Sequence, residues 1–213
     1  MTTTLSPKDR LIFALDVPDK SEAQRLVKLL WDSVGCFKVG LELFVREGPD
    51  ILKLIKDHSS AEIFLDLKLH DIPATVRGAL RSAEKLGVKY ITIHSTEGEA
   101  ILEASKEVKG SGLEVLAVTI LTSMAEAQLL DLGSNLKVGD VVLDRATRAQ
   151  QSGCAGIICS GEEISSVKQK LGDAFKVVVP GIRPEWSQII SDDQKRIATP
   201  GKAIQAGADL IVV

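Results

Sequence analysis

A chain of 213 residues with a formal charge of −3 can bury one large core and leaves little room for a second domain. Its 45% hydrophobic and 26% charged residues exclude a disordered or fibrous protein, and so small a net charge excludes a broad field for nucleic acid or an anionic membrane surface. Any anionic ligand must then be held by local cations.

The N-terminal stretch MTTTLSPKDR lacks the apolar core of a signal peptide, and no apolar run approaches the roughly 18 residues that span a bilayer. The expectation is a cytoplasmic protein with no membrane or nucleic-acid partner. Short apolar runs then alternate with amphipathic stretches at the pitch of repeated strand-helix units. The spacing predicts a first strand at LIFALDV from 11 and a helix over SEAQRLVKLLWDSV. A second strand, CFKVGLEL from 36, precedes the helix GPDILKLIKDHS, and a third, EIFLDLKL from 62, precedes PATVRGALRSAEKLG. YITIHS from 90 and GEAILEASKEVKG form the fourth unit; EVLAVTIL from 114 and a helix from VGD near 138 through Ala149 form the fifth. The last strands are AGIICSG from 155, KVVVPGI from 176 and DLIVV from 209.

Apolar residues recur every three or four positions in the helices, and glycines at 87, 153, 172 and 207 stand where helices should stop. The rhythm of about eight units predicts an α/β protein, a (β/α)8 TIM barrel forming a single domain over 1–213. An open doubly wound sheet would carry a Gly-rich turn after its first strand, and ALDVPDKSE has none. Cys36, Cys154 and Cys159 lack C-x-x-C spacing and are expected as buried free thiols. Phe37, Phe44, Trp31 and Trp186 read as packing residues, His58 as a surface residue, and His94 as a neutral group at the barrel mouth.

Charges stand where core strands ought to be. Side chains alternate faces along a strand, so Leu65, Leu67 and Leu69 share one side while Asp66 and Lys68 share the other. Lys38 opposes Phe37 and Val39 in the same way, and Asp16 opposes Leu15 and Val17. Adjacent strands therefore bring Asp16, Lys38, Asp66 and Lys68, in alternating sign, toward the C-terminal mouth where barrel enzymes assemble their sites. A structural ion network is the plainer reading of any one of them, but stability alone is a poor reason to keep four buried charges that apolar isosteres could replace. A divalent cation would want carboxylates without lysines between them. The interleaving suits a step in which negative charge forms at one atom and a proton is delivered there. Asp71 stays open between a site role and an N-cap for the helix that begins at Pro73.

DLKLHDIP at 66 to 73 fits the pattern D-x-K-x-x-D-I-P. With FALDV, FKVGLELF, VTILTSM, VVPGIRP and DDQKRIATP in order over nearly the whole chain, the sequence closely resembles the orotidine 5′-monophosphate decarboxylases. That resemblance implies a carboxy-lyase of de novo pyrimidine biosynthesis that forms uridine 5′-monophosphate without cofactor or metal. It implies that Lys68 protonates C6 of the pyrimidine, that Asp66 sits beside the departing carboxylate, that Lys38 bridges the ribose and the aspartates, and that Asp16 grips a ribose hydroxyl. It implies a homodimer in which Asp71, with Ile72 and Thr75, is lent to the neighbouring site. Thr122 and Ser123 would contact the pyrimidine, and Pro180, Arg183 and Gln194 would lie in loops that close near the phosphate.

Family members continue past the eighth strand with a Gly-Arg phosphate pair and a closing helix, whereas this sequence stops at Val213. The expectation is a barrel without that helix, an incomplete phosphate cup and weak substrate binding. The polar stretch SQIISDD at 187 to 193 reads as a lid or as an ordinary surface loop. Two rival readings remain: a magnesium-dependent sugar-phosphate decarboxylase, aldolase or epimerase with the same D-x-K-x-x-D spacing, and a non-catalytic nucleotide-binding barrel.

Overall fold

The computed structural model describes residues 5–96, 98–124, 126–131, 135–186 and 196–213. Eight parallel strands close into a barrel in sequence order, with the eighth paired back onto the first. They are β1 (Leu11–Ala14), β2 (Cys36–Gly40), β3 (Glu62–Leu69), β4 (Tyr90–His94), β5 (Glu114–Val118), β6 (Gly156–Ile158), β7 (Lys176–Val179) and β8 (Leu210–Val212). The helices between them are α1 (Lys20–Leu30), α2 (Leu41–Glu47), α3 (Asp50–His58), α4 (Pro73–Lys85), α5 (Glu99–Leu102), α6 (Glu126–Asp131), α7 (Val138–Gln151), α8 (Ile164–Leu171) and α9 (Pro200–Gln205). The expected (β/α)8 barrel is the fold observed.

Strand alternation divides the apolar residues into two cores. Ile12, Cys36, Phe64, Tyr90, Leu116, Ile158, Val178 and Leu210 fill the barrel interior, where the Phe64 and Tyr90 rings meet edge to face at 6.1 Å. Their neighbours Phe37, Val39, Ile63, Leu65, Ile91 and Val115 face outward and pack beneath the helical coat. Burying a large aliphatic side chain stabilises by about 1.5–3 kcal/mol, so each strand is fixed in phase by both faces at once.

Several predicted elements come out differently: β1 stops at Ala14, so Asp16 lies beyond the strand, and β5 stops at Val118. The second strand stops at Gly40, and LEL belongs to α2, where Leu43 is buried while Leu41 and Val45 are exposed. A short apolar run does not separate strand from helix; the burial of one face every three or four residues does. GEAILEASKEVKG is not one α-helix but α5 followed by a 3-10 helix over Glu103–Val108. Leu102, Ser105 and Val108 are all buried, and a three-residue spacing matches the 3-10 repeat.

The four expected helix-stopping glycines all adopt positive φ. At Gly172 the residue closes α8 with φ 81°, donating its N–H to the Lys168 carbonyl, a conformation a side chain would strain. Phe37 is fully buried and Phe44 packs against the core, as expected. Trp31 and Trp186 do not: both are exposed, Trp31 as the C-cap of α1 and Trp186 beyond the end of β7. All three cysteines are buried free thiols, and burial pushes each one up, Cys154 to about 12.

Candidate active site

The charged residues at the strand ends form a continuous chain. Lys38 Nζ donates to Asp16 Oδ1 at 2.9 Å and lies 3.9 Å from Asp66 Oδ2, which accepts from Lys68 Nζ at 2.8 Å. Lys38 and Asp66 in the middle are nearly buried, with side chains 11% and 13% exposed, whereas Asp16 at one end is 65% exposed and Lys68 at the other 34%. The inner pair therefore feels the weakest screening, and the outer groups stand open toward whatever enters.

This chain forms one wall of a cavity of about 350 Å³ at the C-terminal mouth. Phe64, Val118, Ile158 and Val212 make an apolar floor, and Thr122, Ser123, Pro180 and Arg183 line the opposite side. Arg183 brings a cation to that side, its Nη1 donating to the Ile182 carbonyl at 3.0 Å. The site thus joins an apolar floor suited to a flat ring, an alternating charge chain, and a guanidinium across the mouth.

Two residues that sequence reasoning missed shape the chain. Gly40 stands in register with Asp66, and a Cβ there would lie 3.1 Å from Asp16 Oδ1 and 3.3 Å from Lys38 Nζ. Its missing side chain leaves the space that pair occupies; the available signal was a glycine inside a strand pattern, which marks close approach. Thr92 on β4 is fully buried, and its Oγ1 donates to Asp66 Oδ1 at 2.8 Å while accepting the Lys68 N–H at 2.9 Å. No sequence signal distinguishes it, because threonine is an ordinary strand residue.

The backbone at Lys68 is unusual. It is the non-glycine residue with positive φ among those described, at 49°, a conformation costing roughly 1–2 kcal/mol for an L-residue. The β3–β4 register slips there: Leu65 pairs with Ile91, but Leu69 pairs with Ile93, so four steps on β3 match two on β4. The irregularity falls at the lysine, and bulges and positive φ are common beside reactive sites.

Other expected residues lie elsewhere. Asp71, Ile72 and Thr75 are exposed at the start of α4 and do not line this cavity. Asp71 Oδ1 accepts the Ile72 N–H at 2.6 Å, but Ile72 is the N-cap and α4 has no side-chain cap, so the capping reading of Asp71 fails. Gln194 and the stretch 187 to 193 fall outside the described residues. His94 does not line the cavity; its ring packs on His70 at 5.3 Å and its Nδ1 bonds the Thr96 hydroxyl. His58 sits at the end of α3, bonded to Gln24 and the Leu54 carbonyl.

The sequence profile of the Orotidine 5'-phosphate decarboxylase / HUMPS family matches residues 9–213. The chain belongs to that family. Among curated relatives, the orotidine 5'-phosphate decarboxylase of Desulfosudis oleivorans is 46% identical over 213 residues, covering 98% of this chain and 86% of the relative. That of a Nostoc species is 46% identical over 214 residues, covering 96% and 88%. The crystal structure of orotidine 5'-phosphate decarboxylase from Lactobacillus acidophilus superposes with a TM-score of 0.80 at 33% identity, covering 95% of this chain and 88% of that one. Membership in the orotidine 5'-phosphate decarboxylase family gives the alternating charges at the strand ends a chemical context that geometry alone leaves open.

Proposed function

We propose that Lys68 delivers the proton to C6 of orotidine 5′-monophosphate as its carboxylate departs, in an electrostatic site made by Asp16, Lys38 and Asp66. The activity is decarboxylation of orotidine 5′-monophosphate to uridine 5′-monophosphate, a carboxy-lyase reaction of pyrimidine biosynthesis. The single observation that carries the proton-delivery reading is the ion pair of Lys68 with Asp66 at the cavity wall, which aims the ammonium into the cavity. The bond between C6 and the carboxyl carbon breaks, its electron pair stays on C6, and the Lys68 ammonium supplies the proton that quenches it. Water then restores the lysine.

Asp66 faces the substrate carboxylate, and repulsion between the two is relieved as carbon dioxide leaves. Two charges about 4 Å apart at an effective dielectric of roughly 20 interact by about 4 kcal/mol. That amounts to about three decades of rate. The remainder comes from binding energy realised at the transition state. Asp16 and Lys38 hold the ribose, Thr122 and Ser123 the pyrimidine, and Pro180, Arg183 and Gln194 the phosphate end. Asp71, Ile72 and Thr75 act in the cavity of a second copy within a cytoplasmic homodimer. Their exposure outside their own cavity, with Ile72 66% exposed, supports that arrangement.

Loss of orotidine 5′-monophosphate absorbance, followed with and without a strong chelator, tests this reading. The expected result is turnover that the chelator leaves unchanged. Turnover abolished by the chelator and restored by magnesium would favour the metal-dependent alternative, and no turnover at all the binding-only one.

A further inference from the structure

We infer that Thr92 is a positioning residue that sets both the acid and the lysine of the reacting pair through one hydroxyl. This rests on the reading of Asp66 and Lys68 given above. The Lys68 N–H donates to one lone pair of Thr92 Oγ1 at 2.9 Å, and because a carboxylate can only accept, the hydroxyl proton goes to Asp66 Oδ1 at 2.8 Å. With Oδ1 held, Asp66 turns Oδ2 toward Lys68 Nζ at 2.8 Å and Lys38 Nζ at 3.9 Å. The same oxygen pins the Lys68 amide at the point where φ is 49° and the β3–β4 register slips.

Thr92 has the geometry this task needs. It is fully buried, so no water competes for the hydroxyl, and its branched Cβ restricts the χ1 angle that places the oxygen. It does not line the cavity, so it acts through Asp66 and Lys68 and not on substrate. Valine would keep the shape while leaving the Lys68 N–H and Asp66 Oδ1 without their partner, and the bulge without its tie.

The test compares Thr92→Val and Thr92→Ser with Lys68→Ala, measuring kcat, KM, affinity for uridine 5′-monophosphate and the thermal midpoint. The expected result for Thr92→Val is a loss in kcat of about 10²-fold, the scale of an ångström of misplacement, with KM and product affinity unchanged. Thr92→Ser, which restores the hydroxyl on a freer rotor, recovers most of that loss and keeps the wild-type midpoint. Should Thr92→Val fail to fold, Thr92→Ala, which also lacks the hydroxyl, carries the test: a lowered kcat at unchanged KM and product affinity supports the role, and a wild-type kcat overturns it. A fall in kcat together with a rise in KM and a matching loss of product affinity in Thr92→Val, with no rescue by serine, reduces Thr92 to a structural part and overturns the inference. Wild-type kcat in Thr92→Val beside an inactive Lys68→Ala overturns this inference alone, whereas turnover surviving in Lys68→Ala overturns the lysine assignment and this inference with it.

Discussion

Asp66 occupies the one position in the charge chain where a carboxylate touches two ammonium groups, and both it and Lys38 are nearly buried. Removing a partner from such a pair leaves an uncompensated charge, which costs more than losing an exposed one. Asp66→Ala is therefore expected to depress kcat far more than Asp16→Ala, and steady-state kinetics on the two variants check the order. At Gly40 the expected effect is steric: Gly40→Ala must push the Asp16–Lys38 pair aside by a few tenths of an ångström, lowering kcat/KM while the thermal midpoint moves little. Wild-type kcat/KM in Gly40→Ala would mean the pair tolerates displacement. At this scale the sequence was informative where a residue contradicted its surroundings. Lys38, Asp66 and Lys68 interrupt apolar runs, and the alternation of strands says which way they face. Gly40 and Thr92 agree with theirs, and the positive φ of Lys68 depends on how β3 pairs with β4, which no local pattern carries.

The strands are also tied at the opposite end of the barrel. Glu114, at the start of β5, reaches Lys89 just before β4 at 2.8 Å and Lys176 at the start of β7 at 2.7 Å. Burial alone would raise this carboxyl, but the contacts from Lys176 and Lys89 outweigh it and hold the group below its ordinary value of 4.5. A carboxyl depressed in the folded state stabilises fully above its unfolded value, and that contribution is lost as pH falls through the folded value. Thermal unfolding of wild type and Glu114→Gln should show wild type ahead near neutral pH and the gap closing in acid. A gap independent of pH would remove Glu114 from the acid response. The elements themselves were legible in proportion to their regularity: β3 matches its predicted span to the residue, whereas α2 hid inside an apolar run. The α5 and 3-10 segment looked like one helix because a three-residue and a 3.6-residue repeat diverge little over two turns.

The molecule as a whole is set by barrel closure, and closure depends on close strand approach as well as on apolar fill. A Cβ at Gly156 would meet the Lys176 carbonyl oxygen at 2.4 Å, where backbone and not a flexible tip must move. Gly156→Ala is expected to destabilise by about 1–3 kcal/mol, the usual range for overpacking, read from urea unfolding. An unchanged midpoint would show that β6 and β7 can separate freely. The closed barrel was readable from the count and pitch of strand-helix units, but whether any surface residue serves a second copy was not, because exposure looks the same whether a partner covers it or water does. Mixing inactive Lys68→Ala with inactive Asp71→Ala protein tests that part: exchange of subunits should restore turnover if Asp71 works across an interface, and a mixture that stays inactive would place it in its own site. The most direct measurement concerns the lysine. Lys68→Ala should abolish decarboxylation of orotidine 5′-monophosphate while binding uridine 5′-monophosphate nearly as wild type does; retained turnover, or loss of turnover and product affinity in equal measure, would contradict proton delivery by Lys68.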